Sequence, residues 1–237
     1  MTSRFVSSIA SHVGHRRAVQ EDAVLARPEI GLWAVADGMG GHHRGDLASR
    51  RIVETLSALR PPDSASSFLA DVRAGLSAVH QDLNRVEPAN GRTGGATCVV
   101  LMVWHDQFAC LWAGDSRLYR LRDRALIPLT RDHSRVRELV DAGEISEASA
   151  RLHPQASIVT RAIGAGTRFD LETVRGAIRR YDRLILCSDG VTSVLSDAEI
   201  RALADNSEAD VAAEVLVGAV LAAGAPDNAS AIVVTAL

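Results

Sequence analysis

Four aspartates lie at the ends of apolar segments. Asp37, Asp115 and Asp189 close the runs "LWAVAD", "FACLWAGD" and "LILCSD", and Asp227 comes just before the run in "NASAIVV". One Asp-Gly pair alone usually marks a turn, because both residues favour tight turns. Four acids at the ends of buried strands instead predict carboxylates that emerge together at the rim of a buried sheet.

Converging carboxylates need a cation or a raised pKa. Two unit charges ~4 Å apart interact by roughly 4 kcal/mol at an effective dielectric of about 20. Mg²⁺ or Mn²⁺ is the natural partner of oxygen ligands, and Gly38 would let its own carbonyl approach an ion closely. Two ions that share Asp37 could hold a hydroxide for in-line attack on a phosphoester, with an arginine on the phosphate. A zinc site is not indicated, because His42 and His43 have no obvious third ligand.

The composition excludes several other functions. The chain has 237 residues and a net charge of -3, and it contains no lysine, so all 26 basic residues are arginine. A P-loop, a kinase strand lysine and a lysine Schiff base are therefore excluded. The scattered arginines and the negative net charge argue against a nucleic-acid surface. We expect the cysteines Cys98, Cys110 and Cys187 to be buried free thiols.

Hydropathy predicts no membrane segment and no signal peptide, so we expect a cytoplasmic protein. No apolar run reaches the ~18 residues of a membrane helix, and the first residues, "MTSRFVSSIASHVGHRR", lack a continuous apolar stretch.

The order of elements predicts an α+β fold with antiparallel sheets. Strands are predicted at 4–11, 22–27, 31–37, 96–104, 107–115, 116–122, 125–129, 183–189 and 228–237. Helices are predicted at about 46–59, 197–204 and 209–222, and another between the loop-like segments 60–67 and 87–95. The apolar face of that helix comprises Leu69, Val72, Leu76, Val79, Leu83 and Val86. Because the helices come in pairs, two packed sheets are predicted, with a helix pair covering each.

The motifs resemble those of the metal-dependent protein phosphatases, also called type 2C serine/threonine phosphatases, in their bacterial stand-alone form. The segments that carry the resemblance follow the order of the family along nearly the whole chain. They are "GHRRAVQED", "VADGMGGHHRGDLAS", "GGATCVVLMV", "LWAGDSRLYRLR", "LTRDHSRVRELVDAGEIS", "HPQASIVTRAIG", "LILCSDGVTSVLSDAEI" and "GAPDNASAIVV". The resemblance implies a single catalytic domain over 1–237, a four-layer αββα sandwich with two antiparallel sheets flanked by helix pairs, and a flap at about 131–161.

The resemblance also implies a role for each site residue. Asp37 would bridge two Mn²⁺ or Mg²⁺ ions and Gly38 would give its carbonyl to one of them. Asp189 and Asp227 would complete the coordination of the other ion, and Asp115 would help bind a third ion more weakly. Glu21 and Asp22 would act through metal-bound waters, and Arg17 would bind the phosphate. The expected reaction is hydrolysis of phosphoserine and phosphothreonine monoesters on proteins by a metal-bridging hydroxide.

One departure from the family pattern concerns the general acid. Many relatives with a longer form carry His directly after the Asp-Gly pair, where this chain has Met39. A metal-bound water, or His42, would then protonate the leaving group.

Partners and alternative functions also follow from the resemblance. The expected substrates are phosphoproteins of a cognate serine/threonine kinase, and the expected state is a monomer. Three alternatives stay open at this point. They are a pseudophosphatase that acts as a binding module, a dedicated regulator with one phosphoprotein target, and another metal-dependent hydrolase that uses the same acids.

Overall fold

Two five-stranded antiparallel sheets form the centre of the molecule. The computed structural model describes residues 5–40, 44–85, 94–150 and 152–237. The strands of the first sheet, in spatial order, are β1 (Phe5–His12), β10 (Ala229–Ala236), β9 (Arg183–Cys187), β6 (Arg117–Arg122) and β7 (Ala125–Pro128). Those of the second sheet are β2 (Asp22–Arg27), β3 (Leu32–Met39), β4 (Gly95–Trp104), β5 (Gln107–Ala113) and β8 (Glu172–Ala177).

Helices cover the outer face of each sheet. The second sheet is covered by α1 (Arg44–Ser57) and α2 (Ala65–Arg85), and the first by α6 (Asp197–Asn206) and α7 (Ala212–Ala222). Three short helices are α3 (Arg135–Asp141), α4 (Glu147–Ala150) and α5 (Asp189–Thr192). Within the described residues, no helix combines the length and the apolar character needed to cross a membrane.

The core consists of three apolar clusters, one for each space between adjacent layers. Ile52 and Leu76 belong to the cluster between α1, α2 and the second sheet. Trp33 belongs to the cluster between the two sheets, and Leu216 to the one between the first sheet and its helices. The strands that face two of these clusters, such as β4 and β10, are buried almost throughout. The predicted four-layer αββα sandwich is confirmed.

The apolar face predicted for α2 is confirmed in its centre. Val72, Leu76 and Val79 are buried, and Phe68 and His80 join them on the same face. Leu69 and Leu83 are partly buried against the same cluster, whereas Val86 lies outside the described residues. The spacing of three and four residues places these side chains on one side of the helix.

Several elements differ from the sequence expectation. The sequence analysis missed β8, because this edge strand alternates between exposed and half-buried residues and contains a glycine. It also missed α3, α4 and α5, which are too short to show a helical period. Predicted bounds were wrong by a few residues: β3 continues to Met39, the helix predicted from Asp46 begins at Arg44, and the one predicted from Ala209 begins at Ala212.

The cysteines behave as expected from their apolar surroundings. All three are buried and free. Burial raises the pKa of the Cys98 and Cys187 thiols to about 12 and also raises the pKa of Cys110. They are therefore unsuited to act as nucleophiles.

The start of α5 packs so closely on the chain before β10 that only glycine fits at position 190. A Cβ atom on Gly190 would lie 1.8 Å from the carbonyl oxygen of Asn228. This contact holds the backbone of Asp189, which precedes Gly190, close to the backbone of Asp227, which precedes Asn228.

We predict that Gly190→Ala lowers the free energy of unfolding by about 2–3 kcal/mol, because backbone atoms cannot yield as a side chain can. Gly218→Ala in α7 is the control, since a Cβ there meets nothing within 4 Å and alanine favours a helix. Urea unfolding of both variants is the measurement. Equal stability of the two variants would contradict the close approach.

Candidate active site

The predicted acids come together where the central strands of the two sheets end. Asp37 lies near the end of β3, directly opposite Asp22 on β2 and Thr97 on β4. Asp115 follows β5, Asp189 follows β9, and Asp227 precedes β10. Opposite residues on antiparallel strands have Cβ atoms about 5 Å apart. The pairing of β2, β3 and β4 therefore holds Asp22 beside Asp37.

Asp22 links the two sheets. Its Oδ2 accepts hydrogen bonds from the hydroxyls of Ser188 (2.8 Å) and Ser230 (2.7 Å), both of which belong to the first sheet or its margin. Its Oδ1 is buried and has no hydrogen-bond partner among the described residues. Burial raises the pKa of Asp22 to about 7, although the two hydroxyls oppose the shift. An unpaired buried oxygen of this kind is suited to accept a hydrogen bond from water bound to a cation.

Asp37 and Asp189 interact at the junction of the two sheets. Burial is the main cause of the raised pKa of both carboxyls. The negative charges of Asp22, Asp189 and Asp115 raise the pKa of Asp37 further. Burial and the charge of Asp189 also raise the pKa of Asp115 to about 7. These residues form one electrostatically coupled group.

Arg17 contributes the positive charge of the cluster. Its Nη2 donates a hydrogen bond of 2.6 Å to Oδ2 of Asp227. That bond and the charge of Asp227 raise the pKa of Arg17, and Glu21 and Asp189 add smaller effects in the same direction. More than half of the Arg17 side chain stays exposed, so its other donors face solvent at the edge of the site.

Two close backbone approaches fix Glu21 and Gly38. The backbone N–H of Gly38 donates to the carbonyl of Glu21 (3.1 Å), and the N–H of Glu21 donates to Oδ1 of Asn228 (2.7 Å). A Cβ atom on Gly38 would lie 2.2 Å from the carbonyl oxygen of Gly45 in α1. A side chain is therefore excluded at position 38. The backbone next to Asp37 is held in place by its contacts with Glu21 and Gly45.

A cavity of about 820 Å³ joins the acids to the predicted flap. Asp115 and Asp189 line one side of it, and Arg131, Ser134 and Arg137 line the other. The segment 131–161 is closed at its base by a bridge between Ser134 and Val159, and it contains α3 and α4. Arg151 lies outside the described residues.

A half-buried ion pair attaches the start of the flap segment to the first sheet. Arg117 of β6 binds both carboxylate oxygens of Asp132, at 2.8 and 2.7 Å, and donates a third hydrogen bond to the hydroxyl of Tyr119 (2.8 Å). That hydroxyl in turn donates to Asp197 at the start of α6 (3.0 Å). Bidentate pairing restricts orientation as well as distance, so the wall of the cavity is held against the sheet.

The donor set fits hard divalent cations. Among the described residues, no three of the His, Cys, Asp and Glu side chains already stand in an arrangement that encloses an ion. Asp227 is paired with Arg17. The available donors are nevertheless all oxygens, they are buried or half-buried, and their negative charges repel one another. Mg²⁺ and Mn²⁺ favour oxygen ligands and would offset this repulsion.

The sequence comparison identifies the family. Residues 10–218 match the family model described as protein phosphatase 2C. The chain belongs to the protein phosphatase 2C family. The resemblance deduced from the motifs is thus confirmed.

One relative within the phosphatase 2C family is a bacterial protein phosphatase. The chain is 35% identical over 221 residues to the serine/threonine protein phosphatase PstP of Mycobacterium tuberculosis strain H37Rv, and the match covers 92% of this chain and 42% of PstP. The chain thus spans less than half the length of that relative.

Solved structures of the family share the fold. The structure of PppA, a key regulatory component of T6SS in Pseudomonas aeruginosa, is 41% identical, with a TM-score of 0.90 and 99% of each chain covered. The catalytic domain of PstP in complex with two manganese ions is 31% identical, with a TM-score of 0.84, and the match covers 98% of this chain and 97% of that one.

The site of this phosphatase 2C member also contains residues that sequence reasoning missed. Ser188, Asn228 and Ser230 were not predicted, although each is a buried polar residue beside one of the aspartates. The sequence feature that could have revealed them is the presence of a polar residue in an otherwise apolar run. All eight predicted site residues lie in the cluster, and their roles stay predictions. His42 lies outside the described residues.

We predict that the metal-free protein loses stability as the pH rises from about 4 to about 7. Asp22 and Asp115 have folded-state pKa values of about 7, above their ordinary value of 3.8. In that range the folded state binds more protons than the unfolded state, so the free energy of unfolding falls with pH. Urea unfolding in EDTA across this range is the measurement.

Asp115→Asn should flatten this pH dependence and stabilise the metal-free protein at pH 8, because it removes one of the buried charges. Asp210→Asn is the matched control, since Asp210 is exposed and lies in the turn between α6 and α7. A pH slope that is the same in both variants would show that Asp115 does not contribute to it.

Proposed function

We propose that this chain is a metal-dependent serine/threonine protein phosphatase. The observation that supports the proposal is the cluster of Asp37, Asp189 and Asp227 beside Arg17. The names of the bacterial relatives, among them PstP, support a phosphoprotein substrate. Oxygen donors together with one arginine suit a phosphoryl group better than an acyl or glycosyl group.

The proposed cofactor is a pair of Mn²⁺ or Mg²⁺ ions. The manganese-bound catalytic domain of PstP supports this proposal. Asp37 and the carbonyl of Gly38 would bind one ion. Asp37, Asp189 and Asp227 would bind the other, and Asp115 would help bind a third ion more weakly. Glu21 and Asp22 would act through water. Such ions, when bound, activate water and offset charge on the phosphoryl oxygens.

Arg17 is the proposed phosphate-binding residue. Its guanidinium is half exposed and makes its one direct ion pair, among the described residues, with Asp227. A planar guanidinium can bind two phosphate oxygens at once. In the transition state it would stabilise charge on the equatorial oxygens, and binding there would orient phosphorus towards Asp37 and Asp189.

Water exclusion and substrate placement are proposed functions of the flap segment. The cavity beside the acids is wide enough for a side chain that carries a phosphate, and the flap wall is anchored by the pair of Arg117 and Asp132. A fixed wall favours one orientation of the phosphorylated residue.

The proposed biological partners are phosphoproteins modified by a cognate serine/threonine kinase. The likeness to PppA supports a regulatory role of this kind. We further propose a monomeric, cytoplasmic enzyme in which 1–237 acts as a single catalytic domain. The pseudophosphatase alternative is disfavoured, because each acid that the metal site requires is present and lies in the cluster.

We predict that phosphate release from a phosphothreonine peptide depends on Mn²⁺ and is lost with EDTA. Asp189→Asn should lower kcat by at least about a hundredfold, because it removes a carboxylate from the centre that stabilises the transition state. Asp210→Asn is the matched control. A folded but inactive parent protein at every Mn²⁺ concentration would favour the binding-module alternative.

Arg17→Gln should act mainly on substrate binding. We predict that KM rises about tenfold to a hundredfold while kcat changes less, since hydrogen bonds to a charged group are worth about 1.5–3 kcal/mol. Mn²⁺ affinity, measured by calorimetry, should not weaken, because Arg17 would compete with the cation for an oxygen of Asp227. A large loss of Mn²⁺ affinity with an unchanged KM would instead give Arg17 a role in metal binding.

A further inference from the structure

A second cavity, of about 750 Å³, lies on the outer face of the second sheet. Its floor contains a lateral row of three residues on neighbouring strands, because Met102 of β4 is paired with Ala109 of β5, and Ala109 with Arg175 of β8. Phe68 and Leu69 at the start of α2 form its wall. The floor has a depression at Ala109, because this small side chain lies between the long side chains of Met102 and Arg175.

The cavity is separate from the candidate active site. Thr97, which is paired with Asp37, and Met102 are five positions apart on β4, which corresponds to about 17 Å along a strand. None of the residues lining this cavity lines the cavity beside the acids. A ligand here would therefore leave the acids accessible.

The charge of the cavity differs from that of the molecule. The chain has a net charge of -3, yet the described residues that line this cavity include Arg73 and Arg175 and no acidic residue. Arg73 reaches from α2 across the opening, where its Nη2 donates a hydrogen bond of 3.0 Å to the hydroxyl of Thr173. Thr173 and Arg175 are two positions apart on β8 and project from the same face. Two guanidinium groups thus lie at one side of an apolar floor.

We propose that this cavity binds an amphipathic carboxylate, a molecule with an apolar body and one acid group. Met102, Phe68 and Leu69 would contact the apolar body, and Trp104 would cover its end. Arg73 and Arg175 would bind the carboxylate, which suits the fork geometry of guanidinium. The volume lies within the range of small-molecule sites, about 300–1,000 Å³, and the combination of apolar walls with a few polar groups is typical of them.

The experiment uses decanoate below its micellar concentration as the probe, with decanol as the uncharged counterpart. Binding to the full chain is measured by calorimetry and by the fluorescence change of tryptophan. We expect saturable binding of decanoate, at least about tenfold tighter than that of decanol. Arg73→Gln and Arg175→Gln should each weaken decanoate binding by about tenfold. Arg201→Gln on α6, in the opposite helical layer, is the charge-matched control and should bind as the parent does.

Filling the depression tests the location. Ala109→Trp should abolish decanoate binding and leave phosphate release from the phosphopeptide unchanged. Ala109→Leu serves as a milder second variant in case the tryptophan disturbs the fold, which thermal unfolding would show. Equal binding of decanol and decanoate, binding that survives both Ala109 variants, or no saturable binding to the folded chain would overturn the proposal. None of these results bears on the phosphatase activity, which is measured separately.

Discussion

Burial of like charges at the junction of two sheets is the constraint on which this structure depends. Asp22 is buried and Asp37, Asp115 and Asp189 are half-buried, and both burial and mutual repulsion raise the pKa values of these carboxyls. The fold offsets this cost locally through the two serine hydroxyls that donate hydrogen bonds to Asp22. The rest of the fold must therefore be stable enough to keep these carboxylates close together despite their mutual repulsion.

The layered core supplies that stability. Most of the acids lie on or beside the inner strands β3, β5, β9 and β10, and Asp22 lies on the edge strand β2. The inner strands pack against an apolar cluster on each face, so a shift of one of them would disturb two layers at once. Backbone contacts at Gly38 of β3 and Gly190 of α5 then bring neighbouring segments closer together than side chains would allow. The positions of the acids are consequently set before any ligand binds, which is the condition for electrostatic preorganisation.

The sequence revealed the acids because each ends a run whose burial could be deduced from hydropathy alone. The same logic failed for β8, an edge strand whose residues alternate between half-buried and exposed. It also failed for the helices of the flap, which are too short to show a helical period. The pairing of Asp22 with Ser188 and Ser230 could not be predicted, because it depends on how the two sheets face each other. The role of Arg17 came from family resemblance, since no local pattern distinguishes it from Arg16. The second cavity could not be predicted either, because its floor is a row of residues on β4, β5 and β8 that depends on the register of strand pairing.

Arg17 connects the electrostatics of the cluster with its chemistry. The negative charge at the junction can be offset by a shared proton, by a guanidinium or by divalent cations, and these compete for the same oxygens. In the structure the guanidinium of Arg17 pairs with Asp227. A cation that bound the oxygens of Asp227 would compete with this guanidinium, and a displaced guanidinium would remain at the edge of the site, where a phosphate would arrive. On the proposed function, cations in the acid cluster would therefore release Arg17 for substrate, so cation binding would precede phosphate binding.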